Sequence, residues 1–557
     1  MKNVFCILNK ILLVFAFIVT LSCQSNSGEI IITVRKFQVP VLKNREGNPV
    51  LQVKISVPDS DTNLVVREFK ITSSGTDNPD DIESLEILFA GVDSLWPAVN
   101  SARGIFGKEN KALKMINFRG RQPLSPGDNY FWLVCNLSRN AGLHNKVSFG
   151  YRSVRIDGSR RMRYININQG IRQRIGVAVR KHLDDNVHTY RIPGLATTKA
   201  GTLLAIYDVR RSGSRDLQGD IDIGLSRSTN GGHTWEPMRI VLDMDEWGGL
   251  PEKFNGVSDA CILVDENSGK IFIAGLWMHG VLDTAGRWIE GLTEESNAWE
   301  HQWRRKGSQP GFGVRQTSQF LITTSTDDGI TWSQPENLTR MCKRYEWWLL
   351  APAPGRGITM DDGTLVFPTQ GRDENGVPFS NITYSHDGGR TWKTSNPAFS
   401  GTNECSVVQL GNKSLMLNMR YGQRKTGETG RAVVVTTDMG ETWTEHPSSR
   451  TLLTEPVCMG SLLRHVFKSG GIEKSILLFS NPGVEKNPRR NITIKVSFDE
   501  GMTWPEEYFF LLDEGAGRGY SCLAPVDENT IGILYESSQA DLVFESIPLN
   551  ELLKINR

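Results

Sequence analysis

Ser385-His386-Asp387-Gly388-Gly389-Arg390-Thr391-Trp392 is one of five copies of a pattern that reads Ser/Thr-x-Asp/Asn-x-Gly-x-Thr-Trp. The copies start at Ser228, Ser325, Ser385, Thr436 and Ser497, leaving gaps of 97, 60, 51 and 61 residues. Recurrence at this period predicts a propeller or a solenoid. Each position has a physical task. The Asp or Asn side chain accepts hydrogen bonds from backbone N–H groups two residues on and locks a turn. Glycine supplies a positive φ that other residues avoid. Tryptophan carries apolar surface back to the core while its N–H finds a partner. Apolar strand-like runs flank the pattern, as in Val433-Val434-Val435 and Ile492-Thr493-Ile494-Lys495-Val496. Such turns predict fold, so function has to come from other residues.

Composition narrows the classes. The 557 residues carry 63 Lys+Arg against 62 Asp+Glu, so no net field points to nucleic acid. Hydrophobic content of 39% is enough for large cores. Met1-Lys2-Asn3 precedes an apolar run from Ile7 to Leu21, interrupted by Asn9, Lys10 and Thr20, which predicts a secretory signal peptide over residues 1–22. Ser22-Cys23 looks like a bacterial lipoprotein cleavage site, so the expected location is the periplasm or outer cell surface, with a lipid anchor on Cys23 as the sole membrane attachment. Ordinary cleavage nearby is the alternative. Cys135, Cys261, Cys342, Cys405, Cys458 and Cys522 are scattered without zinc-type spacing, so buried free thiols are expected and no metal site.

Residues 24–165 lack the repeat and show short alternating runs, such as Leu51-Gln52-Val53-Lys54-Ile55 and Leu85-Glu86-Ile87-Leu88-Phe89, split by turns like Pro126-Gly127-Asp128-Asn129. They predict a small β-sandwich, either glycan-binding or a spacer. With Trp96 and Trp132 as its tryptophans and no clear aromatic platform, the spacer is favoured. Residues 175–557 then hold the propeller, for which six blades of roughly sixty residues fit the length. Trp277 to Gln309, polar and containing His279, Trp288, Trp299, His301 and Trp303, reads as an insertion in the long first gap. The last strands, near Ile531–Tyr535, are expected to close the ring against Ile175–Val179.

Tyr190-Arg191-Ile192-Pro193-Gly194 opens this region, and with the repeats behind it the region resembles a bacterial exo-sialidase with an Asp-box propeller. The resemblance implies a triad of arginines: Arg191, Arg420 in Asn418-Met419-Arg420-Tyr421, and Arg489 in Pro488-Arg489-Arg490, with the adjacent Arg490 as the other candidate. Sialic acid keeps a carboxylate on its anomeric carbon, and planar guanidinium forks grip a carboxylate at two points as lysine cannot. It also implies Tyr520, in Gly519-Tyr520-Ser521, as nucleophile, with Glu404, in Asn403-Glu404-Cys405, as its base. Most retaining glycosidases attack with a carboxylate, and sialidases with a tyrosine nucleophile are a known exception. An anionic nucleophile beside the substrate carboxylate would cost several kcal/mol by a rough Coulomb estimate, and a neutral phenol avoids this. The acid/base is carried over to Asp216, six residues after Arg210 on a polar loop, with Asp220 and Asp222 as rivals. Asp222 lies within the strand-like Ile221-Asp222-Ile223.

Further contacts implied by the resemblance are Arg210 and Asp259 near the sugar O4 side and Gln319 at the glycerol tail, with Glu536 orienting Arg191. Where the family often has Asp-Pro, this chain has Asp259-Ala260. The implied activity is that of a monomeric, retaining exo-α-sialidase acting on sialylated glycans of glycoproteins and glycolipids without metal or organic cofactor. Transfer to another acceptor, external or internal, is the alternative. A propeller that only binds glycan is the reading outside catalysis.

Overall fold

A computed structural model describes residues 29–554, apart from 62, 96–103, 112–113, 160, 166–170, 217–218, 284–286, 288, 294 and 297–307. The leader, Cys23, Trp96, Trp288, Trp299, His301 and Trp303 lie outside the described residues. The chain is nearly all β and forms two compact units.

In the first unit, alternating strands bury one face each in a sandwich. One sheet runs in the spatial order Met162–Ile165, Ile30–Arg35, Asn48–Val57, Gly127–Leu137, Ile82–Gly91 and Gly104–Glu109. The other holds Gly150–Asp157, Val65–Thr72 and Met115–Pro123. Phe69 of the smaller sheet meets Phe131 of the larger at 5.0 Å between ring centroids. Trp132 is buried and stacks on Phe37, so it serves the core rather than an exposed platform.

The second unit takes residues 174–557 together with 38–45 and 139–145, two stretches too short to carry a distinctive pattern. It is a six-bladed β-propeller. Inner strands Thr189–Thr197, Asn255–Val264, Leu349–Pro352, Thr402–Gln409, Ser461–Ser469 and Ser521–Asp527 begin blades 1 to 6. Each blade then runs outwards in antiparallel strands. The last strands close the ring in blade 6, where Gln173–Arg180 pairs with Leu542–Pro548, which pairs in turn with Thr530–Tyr535, and Val41–Lys43 adds beyond Gln173–Arg180. Among the described residues the long first gap holds no extra blade, and blades 1 and 2 are adjacent. Trp277 and His279 are the buried end of the strand Ile271–His279 and do not belong to the insertion.

The five repeats follow the third strands of blades 1 to 5. Antiparallel order therefore puts all five on one rim. It puts the starts of inner strands, the ends of second strands and the starts of third strands on the other. Each repeat closes on itself. In the copy at Ser385, Asp387 Oδ1 accepts from Thr391 N at 2.9 Å and Arg390 N at 3.1 Å, and Thr391 Oγ1 donates to Asp387 Oδ2 at 2.7 Å. The anchor thus reaches four residues on, not two. Ser385 Oγ accepts from Gly389 N at 2.9 Å. Gly389 has φ +82°, and a Cβ there would come within 2.4 Å of the Phe272 ring of the preceding blade, so glycine is required twice over. Trp392 packs on Phe272 and Phe367 and so seals the joint between blades 2 and 3.

Candidate active site

On the rim away from the repeats, the inner strands break register. Blade 1 shifts between Arg191 and Gly194, blade 2 between Ser258 and Cys261, and blade 4 between Thr402 and Cys405. Ile192 and Asp259 sit in these breaks with φ of +59° and +54°. Bulges re-aim side chains, and here they turn polar groups from the strands towards the axis. The result is a cavity of about 770 Å³ whose lining includes Arg191, Asp216, Asp259, Glu404, Arg420, Arg489 and Tyr520.

Tyr520 precedes the inner strand of blade 6. Its hydroxyl donates to Glu404 Oε1 at 2.5 Å, across 116 residues of sequence. Arg420 Nη1 lies 2.7 Å from Glu404 Oε2 and 2.9 Å from the Tyr520 hydroxyl. Tyrosine and glutamate are each 6% exposed. Burial, reinforced by the Glu404 charge and opposed by Arg420, pushes the phenol well above its ordinary value, so it rests protonated. Arg191 and Arg489 face the same ring, with guanidinium carbons 5.3 and 5.5 Å from its centroid. The three arginines therefore gather around one phenol. Arg490 is exposed and does not line the cavity.

Glu536, just past the second strand of blade 6, is the organiser beneath. Its Oε1 accepts from Arg191 Nε at 2.8 Å and Ile192 N at 3.0 Å. Its Oε2 accepts from Arg191 Nη2 at 3.3 Å and Tyr520 N at 3.0 Å. Although burial works the other way, the Arg191 charge and these donors hold its carboxyl below the usual range. Gly519, with φ +91°, lets Arg489 pass close by, since a Cβ would meet its Cδ at 3.0 Å.

Asp216 is 67% exposed on the loop between the second and third strands of blade 1. Its Oδ1 accepts from Arg210 Nη1 at 2.5 Å and from Arg191 Nη1 at 3.1 Å. Its rivals stay out of the cavity lining. Asp222 pairs with Arg211 at 2.5 Å, and Asp220 lies 3.7 Å from the same arginine. Asp259 lines the cavity, and its carboxyl is pushed well above the normal range by burial and by Glu404, Asp208 and Asp216.

Two expected contacts need correction. Arg210 does not line the cavity. It is 1% exposed and spent on Asp208, Asp216 and the Ser214 carbonyl, so it is a strut under the acid loop. Gln319 begins the third strand of blade 2, away from the axis, where its amide bonds Thr317 O at 2.6 Å and Asn337 Nδ2 at 3.0 Å. The glutamine in the cavity is Gln370, whose Nε2 lies 3.5 Å from Asp259 Oδ2.

Sequence reasoning also missed Asp208, which accepts from Arg210, Ser258 Oγ and Asp259 N. A signal existed: Asp208 and Arg210 share one face of the otherwise apolar Leu203–Arg210. Ser214, Arg215, Arg372, Asn403 and Arg518 are further polar lining that sequence reasoning did not single out.

Metal-binding capacity is modest. Among the described residues, Asp220, Asp222 and Glu252, and Asp243, Asp245 and Glu252, bring carboxylate oxygens within 4.8 Å of one another. None of them lines the cavity. All six described cysteines are buried and free of disulfides.

Residues 192–505 match the BNR repeat-like domain, and residues 29–160 match the N-terminal domain of BNR-repeat neuraminidase. A sialidase of Bacteroides fragilis is 40% identical over 545 residues, which is 94% of this chain and 95% of its own. A sialidase of Micromonospora viridifaciens is 30% identical over 62% of this chain and 50% of its own. Among solved structures, a Hadza microbial sialidase superposes with a TM-score of 0.82 at 37% identity, covering 93% of this chain and 99% of that one. An intramolecular trans-sialidase of Ruminococcus gnavus has a TM-score of 0.52 at 20% identity, over 67% of this chain and 96% of that one, and shares the fold.

Proposed function

The chain belongs to the sialidases, as an exo-α-sialidase, and from that premise we propose that it cleaves terminal sialic acid with retention, through a covalent intermediate on Tyr520. The observation that carries this reading is the Tyr520 hydroxyl, hydrogen-bonded to Glu404 and flanked by Arg420. The three arginines would hold the substrate carboxylate. Tyr520 Oη attacks the anomeric carbon as its proton passes to Glu404 Oε1. That transfer is needed because the resting phenol is held protonated. Asp216 gives its proton to the departing glycosidic oxygen. In the second half, Asp216 takes a proton from water, the water oxygen bonds to the anomeric carbon, and the Tyr520 oxygen recovers its proton from Glu404.

An acid resting between two arginines needs a way to hold a proton. Arg191 gives Nε–H and one Nη2–H to Glu536 and one Nη1–H to Asp216, which leaves an N–H on each terminal nitrogen. A substrate carboxylate would take those donors. Its arrival would set a new anion beside Asp216, and that raises a carboxyl's affinity for protons. Substrate binding thus arms the acid. The expected substrates are sialylated glycoproteins, glycolipids and oligosaccharides.

Turnover of a natural sialoside by Tyr520→Phe and Asp216→Ala tests the assignment. Tyr520→Phe should lose more than about a thousandfold in kcat. Asp216→Ala should lose about 10²–10⁴-fold, with much of the loss restored by an aryl leaving group that needs no proton. Undiminished turnover in both variants would refute the roles.

A further inference from the structure

The arginines that line the cavity differ in what answers their charge. Arg191 is ion-paired with Glu536 and Arg420 with Glu404. Among the described residues, Arg489 and Arg518 have no carboxylate partner. Arg489 donates to the Arg518 and Val457 carbonyls, at 2.9 and 3.0 Å, and Arg518 has one long contact, Nη1 to Ser214 O at 3.5 Å. The terminal sugar's carboxylate answers Arg489 within the triad, and Arg518 keeps no carboxylate at hydrogen-bond distance.

The position of Arg518 says what could answer it. It precedes Gly519 and Tyr520 in sequence, and its exposed side chain reaches the loop that carries the acid, since Ser214 is two residues before Asp216. In the mechanism above, Asp216 faces the glycosidic oxygen, so the leaving sugar departs past this loop. Arg518 therefore flanks the path of the leaving group. Charges of both signs surround it, Arg191 and Arg210 against Glu536 and Asp541, and among the described residues no carboxylate is bonded to it. A cation with no bonded carboxylate gains more from an incoming anion than one already paired.

We propose that Arg518 forms an anion subsite for the leaving group, making the enzyme selective for sialosides whose penultimate sugar carries a negative charge, either the carboxylate of a second sialic acid or a sulfate ester. This rests on the hydrolase reading and adds a substrate class to it. The planar fork of arginine suits both anions, and the partly exposed setting predicts a salt-sensitive preference.

The test compares kcat/KM on sialyllactose, on the α-linked dimer of sialic acid and on sialyllactose sulfated on galactose. In the wild-type enzyme at low ionic strength, the charged substrates should lead, with the lead shrinking in about 0.5 M NaCl. Arg518→Gln should lower the ratio of charged to neutral kcat/KM by about tenfold, chiefly through KM, and Arg518→Lys should restore part of it. A ratio that falls for the sialic acid dimer alone, or for the sulfated substrate alone, identifies which anion the subsite takes. A ratio unchanged in Arg518→Gln overturns the proposal, because a residue that merely braces the Asp216 loop would slow all three substrates alike. Failure of the wild-type enzyme to release sugar from any of them would instead overturn the hydrolase reading, and the subsite with it.

Discussion

The two rims of the propeller use the same residue types under opposite physical rules. On the repeat rim, Asp438 is exposed and Asp327 and Asp387 are partly so, and each is answered by a hydroxyl and a backbone amide four residues on. Those donors hold the carboxyls below the normal range, that of Asp438 at about 2. On the active-site rim, Asp208, Asp222 and Asp259 are raised, chiefly by burial. This rim also relies on partners distant in sequence: Asp208 meets Ser258 across 50 residues, and Glu536 meets Arg191 across 345. One rim stabilises charge locally to keep hairpins shut. The other stores unfavourable charge in a frame that only the closed ring can build. This is the usual cost of a preorganised site.

Removing the keystone of that frame should have the largest effect. In Glu536→Ala the Arg191 guanidinium, 9% exposed, would lose its countercharge, and Ile192 N and Tyr520 N would lose their acceptors. Breaking a buried pair from one side costs about 3–5 kcal/mol. Chemical denaturation should register that loss, with turnover falling although Glu536 does not line the cavity. Stability within 1 kcal/mol of wild type, roughly the scale of an exposed pair, would mean that the rims differ less than their geometry implies.

An intermediate effect should come from Asp222, whose carboxyl is pushed up to about 8 by burial and then by Asp243 and Asp220. Its unfolded value is about 3.9. Between the two the folded chain binds more protons, so this residue's contribution to stability declines as pH rises from about 4 to 8. Asp222→Asn should remove the decline. Melting curves of variant and wild type should agree near pH 4 and separate by about 1–2 kcal/mol at pH 8, the variant being the more stable. The opposite sign holds for the repeat rim. There the contribution is full above about pH 4 and is lost as pH falls towards the depressed folded values.

The contrast between rims also explains what could be read in the sequence. A repeat whose partners lie within eight residues, such as Ser385 to Trp392, prints its whole hydrogen-bond network on one line of text. Pattern alone therefore narrows the fold to a propeller or a solenoid, and the resemblance to the Asp-box family selects the propeller. Neither the Tyr520–Glu404 contact nor the Arg191–Glu536 pair has any local signature. Each became visible through short motifs shared with a family. Gln319 shows how that fails: the resemblance puts it at the glycerol tail, but the third strand of a blade stands away from the axis. Gln370, which does line the cavity, sits in a second strand with no motif around it.

The smallest effect, and a sharp one, is built into the chain. The first repeat has Asn230 where the others have aspartate. Asn230 Oδ1 still accepts from Thr234 N at 3.0 Å, but its Nδ2 now donates to Thr234 Oγ1 at 2.8 Å, so the threonine hydroxyl has reversed its role. The network needs an acceptor facing the amide and a polar partner for the hydroxyl, and it does not need a charge. Asp387→Asn should then shift the melting temperature by about 1 °C at neutral pH. It should also remove this repeat's share of the acid-induced loss, because an amide does not titrate. Asp387→Ala, which offers neither bond, should cost clearly more, since it leaves Thr391 N and Arg390 N without their acceptor at the turn. If Asp387→Asn proves as damaging as Asp387→Ala, charge rather than hydrogen-bond geometry holds these hairpins closed, and the two rims are more alike than argued above.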